Sequence, residues 1–408
     1  MITTTRRGCA LAALLFVACA TDEDDHCCSG RDPSQIGPST SDSTYPAMDS
    51  GSVPTNIGHI ETLNSDVTLL FGGMQPIAVT ADDRGLVYPI NSTENLAVVT
   101  ADGSDASRYV LVMGPCNMPD ALTNFMNMSD GTVLRSGEVA LIAYTASCVQ
   151  AVDPLTGAVR PIAGANYGFG GDGGPALEAL FNYPTGVAEG DDLALYIADQ
   201  RNYVVREVRD GLISTIVGTP GVVGFAGDGG PANQALLGGQ HADAHERSNR
   251  LAVDGRRLFI ADGCNQVIRV VDLDSGLIDR YAGVVAPLSG NSCWAGGGTY
   301  QGGYSGDGGP ALSAELNFPM DIAVCNGIAY ITDQSNNCIR RVGTDGIIST
   351  VAGRCGERGY AGDGGLATDA LLSYPMGVEC APNGDLYIAD SGNATIRRVI
   401  QPELASVE

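Results

Sequence analysis

Gly168-Phe169-Gly170-Gly171-Asp172-Gly173-Gly174-Pro175-Ala176 decides the fold, because the chain uses this stretch four times. The other copies are Gly224–Ala232, Gly303–Ala311 and Gly359–Ala367, centred on Asp228, Asp307 and Asp363 at intervals of 56, 79 and 56 residues. An interval of this size means one supersecondary unit used repeatedly, so the chain must be read as an array.

Between the octads lies a longer pattern. After the first come Tyr183-Pro184-Thr185-Gly186-Val187-Ala188, Leu195-Tyr196-Ile197-Ala198-Asp199, Val204-Val205-Arg206-Glu207-Val208 and Gly211-Leu212-Ile213-Ser214-Thr215-Ile216-Val217-Gly218. Each run is short, rich in Val, Ile, Thr and Tyr, and bounded by Gly, Asn or Asp, which are strand and turn signals. Four strands per unit predicts a propeller blade rather than a solenoid coil. The order returns at Arg250–Gly283 and Phe318–Gly353 and from Tyr374 onward, and degenerate versions occupy Pro76–Gly114 and Asp130–Gly164. The expectation is an all-β, six-bladed propeller of four-stranded antiparallel blades. The last unit stops near Gln401 after three strands, and Asp66-Val67-Thr68-Leu69-Leu70-Phe71-Gly72-Gly73 reads as its missing fourth strand. Closing the ring with that N-terminal strand would remove an unpaired edge.

The Pro-x-Gly-Val, Leu-Tyr-Ile-Ala-Asp and Arg-Val elements resemble the NHL repeat, a six-bladed propeller family. The Gly-Asp-Gly-Gly-Pro-Ala inserts are similar to those of bacterial secreted NHL proteins and of the teneurin propeller. The resemblance is dense over residues 165–400 and sparse over 57–164. It implies the fold, but the family holds binding modules and a few enzymes, so it implies no reaction.

The ends suggest export. Arg6 and Arg7 precede the short apolar run Cys9–Ala18, which is too short to span a bilayer. Leu14-Leu15-Phe16-Val17-Ala18-Cys19 resembles a lipobox, which makes Cys19 the lipidated residue; plain cleavage near Ala20 is the alternative. The predicted organisation is a signal peptide over 1–19, a disordered tether over 20–56 and the propeller over 57–403. The tether carries too little apolar surface to offset its ordering entropy. Localisation follows as a bacterial cell-envelope lipoprotein at the outer membrane or cell surface, or else a periplasmic or secreted protein.

Net charge is −25 and all 22 basic residues are arginine. That balance argues against nucleic acid and against membrane contact other than through a lipid anchor. The absence of lysine excludes lysine Schiff-base chemistry. Setting aside Cys9 and Cys19 leaves ten of the 12 cysteines, an even number suited to disulfides in an oxidising compartment. Placement in loops of one face predicts the pairs Cys264–Cys293, Cys338–Cys355 and Cys116–Cys148. Cys325 and Cys380 either pair or stay as buried thiols.

One constellation recurs at fixed spacing, Asp-x-x-Asn-x-x-x-Arg, as in Asp199, Asn202 and Arg206, or Asp390, Asn393 and Arg397. It reads as a ring of ligands or as a hairpin staple with a carboxylate holding the arginine, and its recurrence in each well-formed unit argues for the staple. Asp172, Asp228, Asp307 and Asp363 are candidate binding residues. They could accept amides at the short helical turns that Gly-Gly-Pro-Ala introduces, or help coordinate calcium, for which one carboxylate per loop is thin. The last octad has Leu366 in place of proline. His241, Asp243 and His245 form the candidate zinc set, in an insert that displaces the usual blade entry. No cofactor is expected, with calcium and zinc as the two metal alternatives.

The functional expectation is a binding or adhesion module that takes a protein or glycan ligand on its loop-decorated top face, which carries the inserts at 234–250 and 284–303. Trp294, the sole tryptophan, is a candidate contact anchor or a plug over the loops. The alternative is a metal-dependent hydrolase or lyase at the channel mouth.

Overall fold

The computed structural model describes residues 58–63, 75–91, 95–100, 108–111, 128–238, 249–285, 294–295, 299–300 and 302–400. β1 (Ile60–Thr62) is followed by a meander of β2 (Pro76–Ala81), β3 (Leu86–Asn91), β4 (Asn95–Thr100) and β5 (Arg108–Leu111). The next is β6 (Met128–Val133), β7 (Val139–Ala143), β8 (Cys148–Val152) and β9 (Val159–Ala163). A short parallel pair, β10 (Asn166–Tyr167) and β11 (Leu180–Phe181), brackets the first octad. It leads into β12 (Pro184–Glu189), β13 (Leu195–Asp199), β14 (Val204–Arg209) and β15 (Leu212–Val217). β16 (Gly230–Pro231) joins β17 (Leu251–Asp254), β18 (Arg257–Asp262), β19 (Val267–Asp272) and β20 (Leu277–Ala282). A hairpin of β21 (Trp294–Ala295) and β22 (Thr299–Tyr300) precedes β23 (Pro319–Cys325), β24 (Ile328–Asp333), β25 (Cys338–Val342) and β26 (Ile348–Ala352). Last come β27 (Pro375–Cys380), β28 (Leu386–Asp390) and β29 (Thr395–Val399).

The result is an all-β propeller built from antiparallel blades. Five of the blade sheets have four strands, and the sheet ordered β16-β20-β19-β18-β17 has five. Innermost strands lie side by side: β2 beside β6, β6 beside β12, β12 beside β17, β17 beside β23, β23 beside β27, and β27 beside β2. Second strands are covered on both faces by neighbouring blades. Leu195-Tyr196-Ile197-Ala198-Asp199 is therefore buried throughout, as is Leu386–Asp390. The apolar core sits between blades: Ala140, Ile142 and Val149 of one interdigitate with Val187, Leu195 and Ile197 of the next. Each such isoleucine contributes about 1.5–3 kcal/mol by leaving water.

The last sheet runs β1-β29-β28-β27, so its outer strand comes from the opposite end of the chain. Ile60 lies opposite Val399 and Thr62 opposite Arg397. The strand that pairs with β29 is Ile60–Thr62, and the stretch expected in that role, Asp66–Gly73, lies outside the described residues. Ile60, Thr62 and Leu63 stand where Ile213, Thr215 and Ile216 stand in the outer-strand run Leu212–Ile216.

The octads run along these outer strands and cover their free edges. Gly173, Gly229, Gly308 and Gly364 donate their amides to the carbonyls of Ile213, Ile278, Ile348 and Ile60, each at 2.8 Å. An exposed strand edge invites pairing with another chain, and a covered one does not. The octad glycine before the aspartate is required by geometry. Gly171 has φ of +93°, and a Cβ there would meet the Ala179 Cα at 2.8 Å. Single 3-10 turns follow at Ala176–Glu178, Ala232–Gln234, Ala311–Ser313 and Ala367–Asp369. Leu366 adopts φ −62° and ψ 135°, close to −60° and 131° at Pro175, so proline is dispensable.

Candidate functional site

The octad aspartates do not cap those helical turns; no side chain does. They hold arginines instead. Arg206, Arg269, Arg340 and Arg397 are completely buried, and their guanidinium groups reach Asp172, Asp228, Asp307 and Asp363 at 2.7, 2.5, 2.6 and 2.7 Å. The expected staple is also present. Asn202 donates to the Asp199 carboxylate at 2.7 Å and to the Gly168 carbonyl at 2.7 Å, and Arg206 approaches Asp199 at 3.6 Å. Asn336 and Asn393 repeat this with Asp333 and Asp390. Staple and octad are therefore one device: a buried cation clamped between a blade carboxylate and a loop carboxylate.

An aromatic ring completes the clamp. Phe169, Phe225, Tyr304 and Tyr360 lie 5.1, 4.8, 4.9 and 5.2 Å from the guanidinium carbons of Arg206, Arg269, Arg340 and Arg397. Such stacking favours a desolvated cation. Burial pushes Asp199 up to about 7, and Asp262, Asp333 and Asp390 up to about 6, despite the asparagine and arginine donors that oppose it.

At the centre, a second arrangement escaped the sequence reading. Arg250, just before β17, is fully buried and crosses the channel at the starts of the inner strands. It donates to the carbonyls of Ile77 at 2.7 Å, Ser129 at 2.9 Å and Met376 at 2.9 Å, and to Asp321 at 3.3 Å. Its Nε stands 3.9 Å from Asp130, which in turn accepts the Val187 amide at 3.0 Å. One guanidinium and one carboxylate thereby link the β2, β6, β12, β17, β23 and β27 sheets. The signal lay in the sequence: in the unit that lost its Tyr-Pro-x-Gly entry, an arginine stands where the inner strands converge.

Beyond Arg250 a cavity of about 120 Å³ is lined by all these inner strands, including Asp130, Glu189, Asp321 and Glu379. Burial raises Asp130 to about 7 and Glu379 to about 8, and the Asp321 charge adds to the latter. Burial also raises Asp321, against the pull of Arg250. Perturbed carboxylates in a cavity are suited to proton transfer. Among the described residues, however, no group of three or more His, Cys, Asp and Glu is placed to hold a metal ion. His241, Asp243 and His245 lie outside the described residues.

Cys338 and Cys355 form a disulfide, as the loop placement predicted, and Cys325 pairs with Cys380. Cys148 and Cys264 are also disulfide-bonded; Cys116 and Cys293, expected as their partners, lie outside the described residues. Trp294 pairs through its backbone with Tyr300 in the β21–β22 hairpin. Cys19 and residues 20–56, the stretch expected as a tether, lie outside the described residues. No described helix is long and apolar enough to cross a membrane.

No protein-family model matches the chain. It is 25% identical over 325 residues to Teneurin-1 of Gallus gallus, covering 72% of this chain and 11% of that protein. The chain spans about a tenth of the length of the curated relatives it matches. Among solved structures, a protein of unknown function from Bacteroides thetaiotaomicron superposes with a TM-score of 0.55 at 17% identity, over 80% of this chain and 69% of that one. An auxiliary nutrient binding protein from Bacteroides ovatus gives 0.53 at 14% identity with the same coverage. Together with the blade geometry, these likenesses define the chain as a β-propeller, with sequence similarity to the teneurins.

Proposed function

We propose that this chain is an exported binding module, a six-bladed ring closed by β1 and held at the cell envelope through a lipid on Cys19. Its ligand, a protein or a glycan, docks on the face that carries the octad starts and the inserts, with Trp294 among the contacts. One observation carries the reading: Arg250 spends both terminal nitrogens on the carbonyls of three blades and on Asp321, so the centre of the ring serves as a structural joint. The loops around it, pinned by disulfides and buried arginines, are a rigid frame for recognition. The nutrient-binding likeness of the fold supports the same class.

Elemental analysis of the purified protein tests this against a metal-dependent hydrolase or lyase. The binding reading expects no stoichiometric zinc and no tightly held calcium; either metal at one per chain, together with turnover, overturns it. Cys19→Ala is expected to move the protein from the membrane fraction to the soluble envelope fraction.

A further inference from the structure

We infer that the octad aromatics form a row of stacking platforms for a neutral polysaccharide. This rests on the binding reading and names its ligand class. Phe169, Tyr304 and Tyr360 stand 41%, 43% and 55% exposed, although each lies over a buried guanidinium. The cation holds one region of the ring and fixes its orientation, while the remainder faces solvent. The Tyr304 and Tyr360 hydroxyls donate to Asp307 at 3.1 Å and Asp363 at 3.2 Å, which pins the rings further. A ring ordered before binding loses little entropy when a ligand stacks on it.

The chemistry of the surroundings selects the ligand. An aromatic face carries partial negative charge, and a pyranose presents a face of polarised C–H bonds to it. Beside each ring sits a part-exposed carboxylate, able to accept from sugar hydroxyls. That carboxylate is already paired with arginine, so the platform offers no free cation for an acidic polymer. The chain's net charge of −25 repels such a polymer as well. A protein partner is a poorer fit, because binding hot spots cluster within one continuous patch and these rings stand one per blade. A polymer with repeating units matches a repeating platform and gains affinity by engaging several at once.

The test is affinity electrophoresis of the full chain in native gels containing dextran, mixed-linkage β-glucan, xyloglucan or galactomannan, with polygalacturonate as the acidic control. At least one neutral polymer is expected to retard the protein. Combining Phe169→Leu, Tyr304→Leu and Tyr360→Leu keeps an apolar cover on each arginine and should weaken that retardation by roughly 10²-fold or more, as loss of multivalency does. Should the triple variant unfold, Phe169→Leu alone is expected to weaken binding by a smaller factor. Retardation by polygalacturonate only, by no polymer, or equally for parent and leucine variants overturns the inference. The last result would still leave a carbohydrate-binding module that uses another surface, whereas metal-dependent turnover of the polymer would sink the binding reading itself.

Discussion

The blades that follow an octad and the β6 blade have the same strand topology but solve their outer halves differently. In the β12 blade, Asp199 ends the second strand and Arg206 lies opposite Ile197 and Thr215. In the β6 blade the same ladder positions hold Ala143 and Gln150, with Gln150 opposite Leu141 and Pro161. The ion clamp is thus replaced by an uncharged pair, and its outer strand carries Pro161, which offers no amide to a neighbour. A four-stranded blade therefore does not need a buried charge; the clamp is there to fasten a loop. What the octad adds is a covered edge and an ordered aromatic, and the arginine is the bolt.

Removing the borrowed strand should cost the molecule most. A chain beginning at residue 64 loses Ile60 and Leu63, both fully buried, and uncovers β29. It should lose about 3–6 kcal/mol by the burial of those two side chains and should self-associate, whereas a chain beginning at residue 57 should match the parent. Denaturant melts with light scattering decide; equal melts would sink ring closure through β1.

Next in size is the bolt. Arg340→Leu strands the buried Asp333 and the part-exposed Asp307, and breaking a buried pair from one side costs about 3–5 kcal/mol. Gln150→Leu in the β6 blade should cost about 1 kcal/mol or less. Equal losses in urea melts would show that the clamp contributes nothing beyond packing.

A third test concerns pH. Asp130, Asp199 and Glu379 have folded values raised to about 7, 7 and 8 by burial, above those of the unfolded chain. The folded state then binds more protons than the unfolded one between about pH 4 and pH 8, so stability falls as pH rises through that window. The thermal midpoint should therefore be higher at pH 6 than at pH 8.5. Glu379→Gln should flatten the slope above pH 7 and raise the pH 8.5 midpoint by a few degrees, on the order expected for relief of one buried charge. A midpoint that climbs with pH would refute the burial argument. Smallest of all, Trp294→Ala should leave the melt within about 1 °C while weakening ligand binding; a large stability loss would make Trp294 a plug.

Much of this molecule can be read along the chain because its determinants are local. Strand runs, turn glycines, the Asp-Asn-Arg spacing and the Cys338–Cys355 loop each lie within a few dozen residues, and repetition multiplies their signal. The pairing of Ile60–Thr62 with β29 was less visible: its three residues carry little pattern alone, and they gain meaning only beside Ile213 and Ile348. The partner of each octad aspartate depends on a guanidinium more than thirty residues away, brought close by the fold. The Arg250 joint is the extreme case, since its partners at Ile77, Ser129, Asp321 and Met376 come from four other blades. Sequence alone determined that the chain is a repeated array of small sheets, because period and turn chemistry are short-range properties. Only the tertiary structure decided which charges meet at the axis and along the rim, because the pull of a buried charge depends on what surrounds it in space.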